Sequence, residues 1–378
     1  MEYVNLGDVA TYINGYAFKP EQRGKKGLPI IRIQDLNGNS HDLGFFDGEY
    51  PKQVEINAGD ILISWSGSLG VYKWNKGKAL LNQHIFKVLF NKIKIDKEYF
   101  CYAVKNSLSV MSQQSHGATM KHITKKDFDK VLIPYPSLNT QRKIAQKLNI
   151  VTELIVFYET ELSLMEQLIK ARFVEMFGDP ATPGDKFKTC KLGEVADVKS
   201  SHRVFSTEFV NEGVPFYRGT EISVLASGQQ PEDPYRISMD HYLKIANDDS
   251  KPIRGDLLLP SICNKGQVWM VNTDEPFYYK DGRVLCISPH RSIFDSRYLQ
   301  FYMKMRTEAE YPKLGSGSTF AEFKIFQLKE LLVDMPPMNA QKSFCLFADQ
   351  VDKSREEVKK SLEKTQQLYD SLMQEYFG

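Results

Sequence analysis

The sequence predicts an α+β protein: two mixed α/β domains in tandem pseudo-repeat, separated by two long helices that form an antiparallel coiled coil. Three observations predict this. The helix ending "QLIKARFVEMFG" (167–178) returns 200 residues later as "QLYDSLMQEYFG" (367–378). Paired marks recur in the same order along both halves of the chain. Each half also closes on a long apolar stripe at alternating steps of three and four residues, the seam of a coiled coil.

The paired marks define the repeat. "LGDVA" (6–10) matches "LGEVA" (192–196), and "GLPIIR" (27–32) matches "GVPFYR" (213–218), both at an offset of 186. "GDILIS" (59–64) matches "GDLLLP" (255–260) at 196. "VLIPYPSLNTQR" (131–142) matches "LLVDMPPMNAQK" (331–342) at 200, aligning Pro136 with Pro336, Asn139 with Asn339 and Gln141 with Gln341. Chance similarity does not stay collinear over a whole chain; an offset drifting one way reflects insertions inside equivalent units. The expected domains are therefore 1–138, a helix over 139–178, a linker over 179–186, a second domain over 187–338 and a second helix over 339–378. The stretch "GDPATPGDK" (178–186), with two prolines and two glycines, suits the linker.

Within each globular part, short runs rich in β-branched and aromatic residues ("ILISW", "HIFKVLF", "FYRG", "RVLCIS") read as strands punctuated by Gly, Asn and Asp. "DKEYFCYAVKN" (96–106) and "DSRYLQFYMKM" (295–305) place an N-terminal Asp before apolar residues at helical spacing, so each predicts a helix. The long helices carry seams at Ile144, Leu148, Val151, Ile155, Tyr158, Leu162, Met165, Ile169 and Phe173, and at Phe344, Phe347, Val351, Val358, Leu362, Thr365, Tyr369, Leu372 and Tyr376. About 38 residues at 1.5 Å each span about 55 Å. Proline before and glycine after each helix match the preferences of helix ends. A stripe this long must be buried, and the other helix is the expected partner; folding back on its own domain is the alternative. Leu148, Val151, Ile155, Leu162, Ile169, Phe177, Val351, Val358, Leu362, Tyr369 and Phe377 are the expected helix–helix or partner-docking positions.

Composition narrows the function. Of 378 residues, 42% are apolar and 25% charged, as in soluble globular proteins. No apolar run approaches the ~18 residues of a membrane span, and "MEYVNLGDVA" lacks the regions of a signal peptide, so a cytoplasmic protein is expected. The five cysteines form no C-x-x-C pair and the seven histidines are dispersed, so neither disulfides nor a metal site is expected. Net charge is only +2, but residues 1–138 hold 18 Lys and Arg against 13 Asp and Glu. A local basic face is enough for phosphate contact.

No pattern carries catalysis. "DMPP" (334–337) is followed by Met338 where an amino-methyltransferase motif has an aromatic, and its repeat counterpart is "PYPS". Glu322-Phe-Lys324 has no carboxylate counterpart in the first half, where His122-Ile-Thr124 stands. "GSGS" (315–318) lacks the Gly-Lys-Ser/Thr of a phosphate loop. What remains is a binding device. Two similar but non-identical units on a rod suit a polymer with two unlike recognition elements at fixed spacing, and duplex DNA is such a polymer.

On these doubled marks the chain resembles the specificity subunit of type I restriction–modification systems over essentially its whole length. The resemblance implies that each globular part is a target-recognition domain reading half of a bipartite, asymmetric double-stranded DNA target. The helices would set the spacer and dock methyltransferase subunits, two per chain, with restriction subunits joining the full complex. It also implies no catalysis or cofactor in this chain, S-adenosylmethionine, ATP and Mg belonging to the partner subunits. Asp334 departs from the pattern by replacing the first proline of the second helix entry.

Recognition residues are expected in loops beside the shared marks. "SWSGSLGVYK" offers Ser64, Trp65, Ser66, Ser68 and Lys73; "SICNKGQ" offers Ser261, Asn264, Lys265 and Gln267. "NQH" (82–84) and "KDGR" (280–283) offer Asn82, Gln83 and Arg283. Arg or Lys pairs with guanine and Asn or Gln with adenine in the major groove. Ser115, His116, Thr119 and Lys121, with Ser316, Ser318 and Thr319, sit among small residues suited to phosphate contact. Gly59, Asp60, Gly255 and Asp256 read as turns that start strands.

Overall fold

The run "GDILIS" is apolar through its strand because both faces of that strand are covered. A computed structural model of the chain describes residues 2–39, 42–114, 124–246, 250–315 and 321–378. It comprises two compact units, residues 1–160 with 359–378, and residues 161–358.

In the first unit, Ile61–Ser64 lies inside a four-stranded antiparallel sheet of order Thr11–Asn14, Ile85–Leu89, Ile61–Ser64, Gly70–Lys73. Side chains alternate across a strand. Ile61 and Ile63 join Tyr12, Phe86 and Val88 in a core with Tyr99, Phe100, Ala103 and Val104 of the helix Lys97–Gln114. Leu62 and Ile85 point the other way, into a core with Ile31, Val54, Ile56 and Leu81. That second core belongs to a smaller sheet of order Phe45–Phe46, Leu28–Ile31, Ala79–Leu81, Glu55–Ile56. Gly59, at φ +93°, turns the chain into the central strand, while the Asp60 carboxylate accepts the Asn57 N–H at 2.8 Å. A two-stranded ribbon, Tyr3–Asn5 with Leu132–Pro134, ties the start of the globular part to its end.

The second unit repeats the plan. Leu257–Pro260 sits between Val284–Pro289 and Trp269–Met270, with Ala196–Lys199 beyond. Leu257 and Leu259 face one core, and Leu258 faces the other. The ribbon is Thr189–Lys191 with Leu332–Asp334.

The long helices run Leu138–Phe177 and Met338–Phe377. Each unit contains the start of one and the end of the other, in the antiparallel arrangement. In the first unit, Ile144 and Leu148 share a core with Met373 and Phe377, and Lys147 Nζ donates to Tyr376 Oη at 3.3 Å. In the second, Ile169, Phe173 and Phe177 share a core with Phe344 and Ala348, and Arg172 lies over the Phe347 ring. Both expected contacts therefore occur: each helix starts on its own globular part, and it is also paired with the other.

The duplicated Phe-Gly ending has a physical cause. Phe177 packs edge-on against Tyr298 at 4.9 Å, and Phe377 lies 5.3 Å from Tyr99. The two tyrosines occupy equivalent places, three residues after the helix-capping Asp295 and Asp96. Gly178, at φ +87°, then closes its helix with an N–H bond to Val174 O. The repeated glutamine is a lock. Gln141 Oε1 accepts the Asp96 N–H at 2.9 Å and its Nε2 donates to Pro136 O; Gln341 does the same with Asp295 and Pro336. Asp334, where a proline was expected, is buried and accepts from Gly184 N–H at 2.8 Å and Tyr302 Oη at 3.1 Å. It anchors the linker, so its side chain has a structural use.

Candidate nucleic-acid interface

In each unit, two turns project from the ends of the central strands, and backbone hydrogen bonds establish their equivalence. The turn 82–84 follows Ala79–Leu81; Asn82 N–H bonds Ile31 O, and His84 O accepts from Trp65 N–H at 3.2 Å. The turn 280–283 follows Tyr278–Tyr279; Lys280 N–H bonds Tyr217 O, and Arg283 O accepts from Ser261 N–H at 2.8 Å. The loops expected from the sequence to read DNA, 64–68 and 261–267, thus start beside these turns.

Individual candidates fare differently. Ser64 is fully buried and its Oγ donates to Ser68 O at 2.6 Å, so it shapes the loop from inside. Ser66, Asn82 and Ser261 are also buried, whereas Ser68 and Gln83 are exposed. Trp65 stacks on Phe86 at 5.5 Å, meets the His84 ring edge-on at 4.9 Å, and donates from Nε1 to Asn14 Oδ1 at 3.2 Å. This anchors the loop on the sheet. Lys73 pairs with Glu98, whose carboxylate holds the ammonium pKa up. Ser115, His116, Thr119, Lys121, Ser316, Ser318 and Thr319 lie outside the described residues.

In the second unit the candidates divide between two turns. Arg283 is paired with Glu322, which also accepts from Lys324 at 2.8 Å; the two cations hold the Glu322 carboxyl below its usual range. The Glu-x-Lys pattern is thus an ion-pair cluster beside Arg283. Asn264, Lys265 and Gln267 form a self-contained turn: Gln267 Oε1 accepts Lys265 N–H at 3.0 Å, and its Nε2 donates to Asn264 Oδ1. Gly266, at φ +63°, lies so close to Lys304 O that a Cβ would stand 2.4 Å from it. Lys265 and Gln267 accordingly line a cavity of about 570 Å³ with Lys170, Phe173, Lys304 and Arg355, where burial and the nearby Arg297 push the Lys304 ammonium pKa down.

Several residues escaped the sequence reading. Arg218, inside the mark "GVPFYR", stacks over Tyr235 at 4.6 Å, and Tyr235 stacks on Phe209 at 4.6 Å. Glu221 grips the same guanidinium through two oxygens. Arg203, Phe205 and Lys280 are exposed on the same unit. The repeat signalled Arg218, since Arg32 occupies the matching place and folds back on Asp35 in the same way.

On the helices, the seam positions are turned inward. Leu148, Val151, Ile169, Phe177 and Phe377 are buried; Ile155, Leu162, Val351, Val358, Leu362 and Tyr369 are half-buried. A different stripe of the first helix faces outward: Ile150, Leu154 and Phe157 are 52%, 40% and 59% exposed, and Leu164 and Leu168 are exposed further along. At the matching places the second helix carries Gln350, Ser354, Glu357, Lys364 and Leu368, so four of the five are polar and Leu368 alone is apolar and exposed.

Among the described residues no group of three or more His, Cys, Asp and Glu could hold a metal ion, and no helix is long and apolar enough to cross a membrane. The five thiols are free. Burial pushes Cys101 and Cys286 up to about 12 and Cys263 up to about 11, far from a reactive thiolate.

Fold and surface together define a duplicated recognition protein, with two equivalent loop-bearing units on a shared pair of helices. The chain belongs to the family described as "Type I restriction modification DNA specificity domain", whose sequence model matches residues 1–166 and again 184–367. It is 24% identical to the type I restriction enzyme EcoBI specificity subunit of Escherichia coli, over 99% of this chain and 85% of that protein. It is also 24% identical to the MjaVIII specificity subunit of Methanocaldococcus jannaschii, over 97% and 91%. The fold is similar to that of the S subunit of a type I restriction-modification system from M. genitalium, with a TM-score of 0.57, 15% identity, and 100% and 96% of the two chains covered. A chain from a study of type I complex assembly gives a TM-score of 0.58 at 17% identity, covering 100% and 97%.

Proposed function

We propose that this chain is the sequence-recognition subunit of a type I restriction–modification enzyme, each globular part reading one half of a bipartite, asymmetric DNA target. One observation carries the reading. The family's domain occurs twice, and the two copies share their central strands and helix locks while differing in the turns that project from them. Shared framework with unlike loops is what two different half-sites require, because phosphate contacts position a protein and loop-borne base contacts specify sequence.

In this reading the chain performs no catalysis. Methyl transfer from S-adenosylmethionine and ATP- and Mg-dependent restriction belong to methyltransferase and restriction subunits, with two methyltransferases per chain, in the cytoplasm. The outward apolar stripe at Ile150, Leu154 and Phe157 is the proposed methyltransferase-docking face, while the inward positions hold the helix pair together. Arg283 and Lys265 remain proposed contacts. Losing a direct base contact costs about 1–3 kcal/mol at one position of the target; a protein-only scaffold would leave the target unchanged on substitution of either residue.

The test is genome-wide adenine-methylation sequencing of cells expressing the cognate methyltransferase, with and without this chain. A bipartite asymmetric motif that disappears with the gene supports the reading. An unchanged methylome with both proteins expressed refutes it, and methyl transfer by the purified chain alone would move the catalysis here.

A further inference from the structure

Among the described residues, His84 is the one non-glycine residue with positive φ, at +71°. An L side chain rarely adopts that backbone, and where one does, something in the site commonly requires it. Turn geometry alone does not. In the second unit the matching backbone place is taken by Arg283, which is not in the left-handed region; that turn is one residue longer and takes its left-handed conformation one place earlier, at Gly282, φ +64°, where it carries no steric cost. A second unfavourable feature lies two residues away: Asn82 is buried, and its Oδ1 has no hydrogen-bond partner among the described residues. Two local costs within one three-residue turn indicate a turn shaped for something other than stability.

The placement says what that is. The His84 ring is half-exposed and rests edge-on against Trp65, which is itself anchored by Phe86 and Asn14, so the imidazole is presented from a braced platform. Exposed Gln83 precedes it. The equivalent turn of the second unit carries exposed Lys280 and Arg283. The position therefore bears hydrogen-bonding side chains in both units, and their identity differs between units. Difference is what separates sequence reading from phosphate positioning, since phosphates are the same in both half-sites.

We propose that His84 is a specificity-determining residue of the first half-site: the left-handed turn directs its imidazole, braced by Trp65, at a base edge in the DNA groove. The proposal rests on the recognition-subunit reading above. It explains why a histidine stands where glycine fits the backbone better.

The backbone supplies a clean test. His84→Gly relieves the strained φ while deleting the imidazole, so folding and recognition should move in opposite directions. The chain, wild-type or variant, is assembled with its methyltransferase, and methylated motifs, methylation rates and melting temperature are measured. Expected for His84→Gly is an unchanged or higher melting temperature, relaxed preference at one or two positions of one half-site or an about 10-fold slower cognate methylation, and an intact second half-site. His84→Ala keeps the strain, so it should melt lower and relax the same positions. If wild type yields a bipartite motif and His84→Gly methylates the same motif at the same rate, the His84 assignment is overturned and the subunit reading stands. If wild type yields no bipartite motif, the subunit reading falls, and this assignment falls with it.

Discussion

Gln141 and Gln341 are each one polar side chain in an apolar setting, and each joins three pieces of chain. The amide oxygen accepts from the capping aspartate's N–H and the amide nitrogen donates to a proline carbonyl, fixing the long helix to the helix of its globular part. Gln341→Ala leaves buried donors and acceptors unpaired, for an expected loss of about 1–3 kcal/mol in denaturant unfolding. Asp334 has the opposite character. Burial raises its pKa, partly offset by the bonds from Gly184 and Tyr302. A carboxyl whose folded pKa is raised contributes stability that is full below the unfolded value and lost as pH rises through the folded one. The stability advantage of wild type over Asp334→Asn should therefore shrink as pH rises above the ordinary aspartate value of 3.8, read from paired melting curves; an advantage that grows with pH would contradict this.

At the scale of elements, the long helices carry two messages on different faces. Phe377 ends its helix inside the first unit's core, beside Tyr99 and with its carbonyl accepting from Asn106 Nδ2. Phe377→Ala should cost about 3–5 kcal/mol, seen as a lower denaturation midpoint for the unit holding residues 1–160. The outward stripe should behave differently. Leu154→Lys or Phe157→Glu removes exposed apolar surface, so the melting temperature should hold, while co-purification of methyltransferase with the chain should fall. Loss of folding on these substitutions would show instead that the stripe is structural.

For the whole molecule, duplication predicts modularity. Replacing residues 187–338 with the matching segment of another specificity subunit should change one half of the methylated motif and preserve the other, as read by methylation sequencing. Changes in both halves would count against independent reading. The replaced segment must keep Tyr298, the partner of Phe177, and must still pack against Phe344, which the exchange leaves in place. A graft that loses them should misfold rather than re-target.

The sequence by itself determined the duplicated plan, the two helix endings, the strand-starting Gly-Asp turns and the family resemblance. All of these rest on local chemistry written twice, and a repeat makes weak local signals add. Only the tertiary structure decided which candidates could face a ligand. Ser64, Ser66, Asn82 and Ser261 have polar side chains typical of a surface, yet chain reversals fold them under their own loops. Likewise the periodic stripe marked where the helices bury apolar area and pointed to their antiparallel pairing, but not that the closing Phe177 and Phe377 enter the cores of the globular parts. His84 was invisible for the most direct reason: φ is set by the closure of the turn between two sheets, and a residue's name does not state the angle that closure imposes on it.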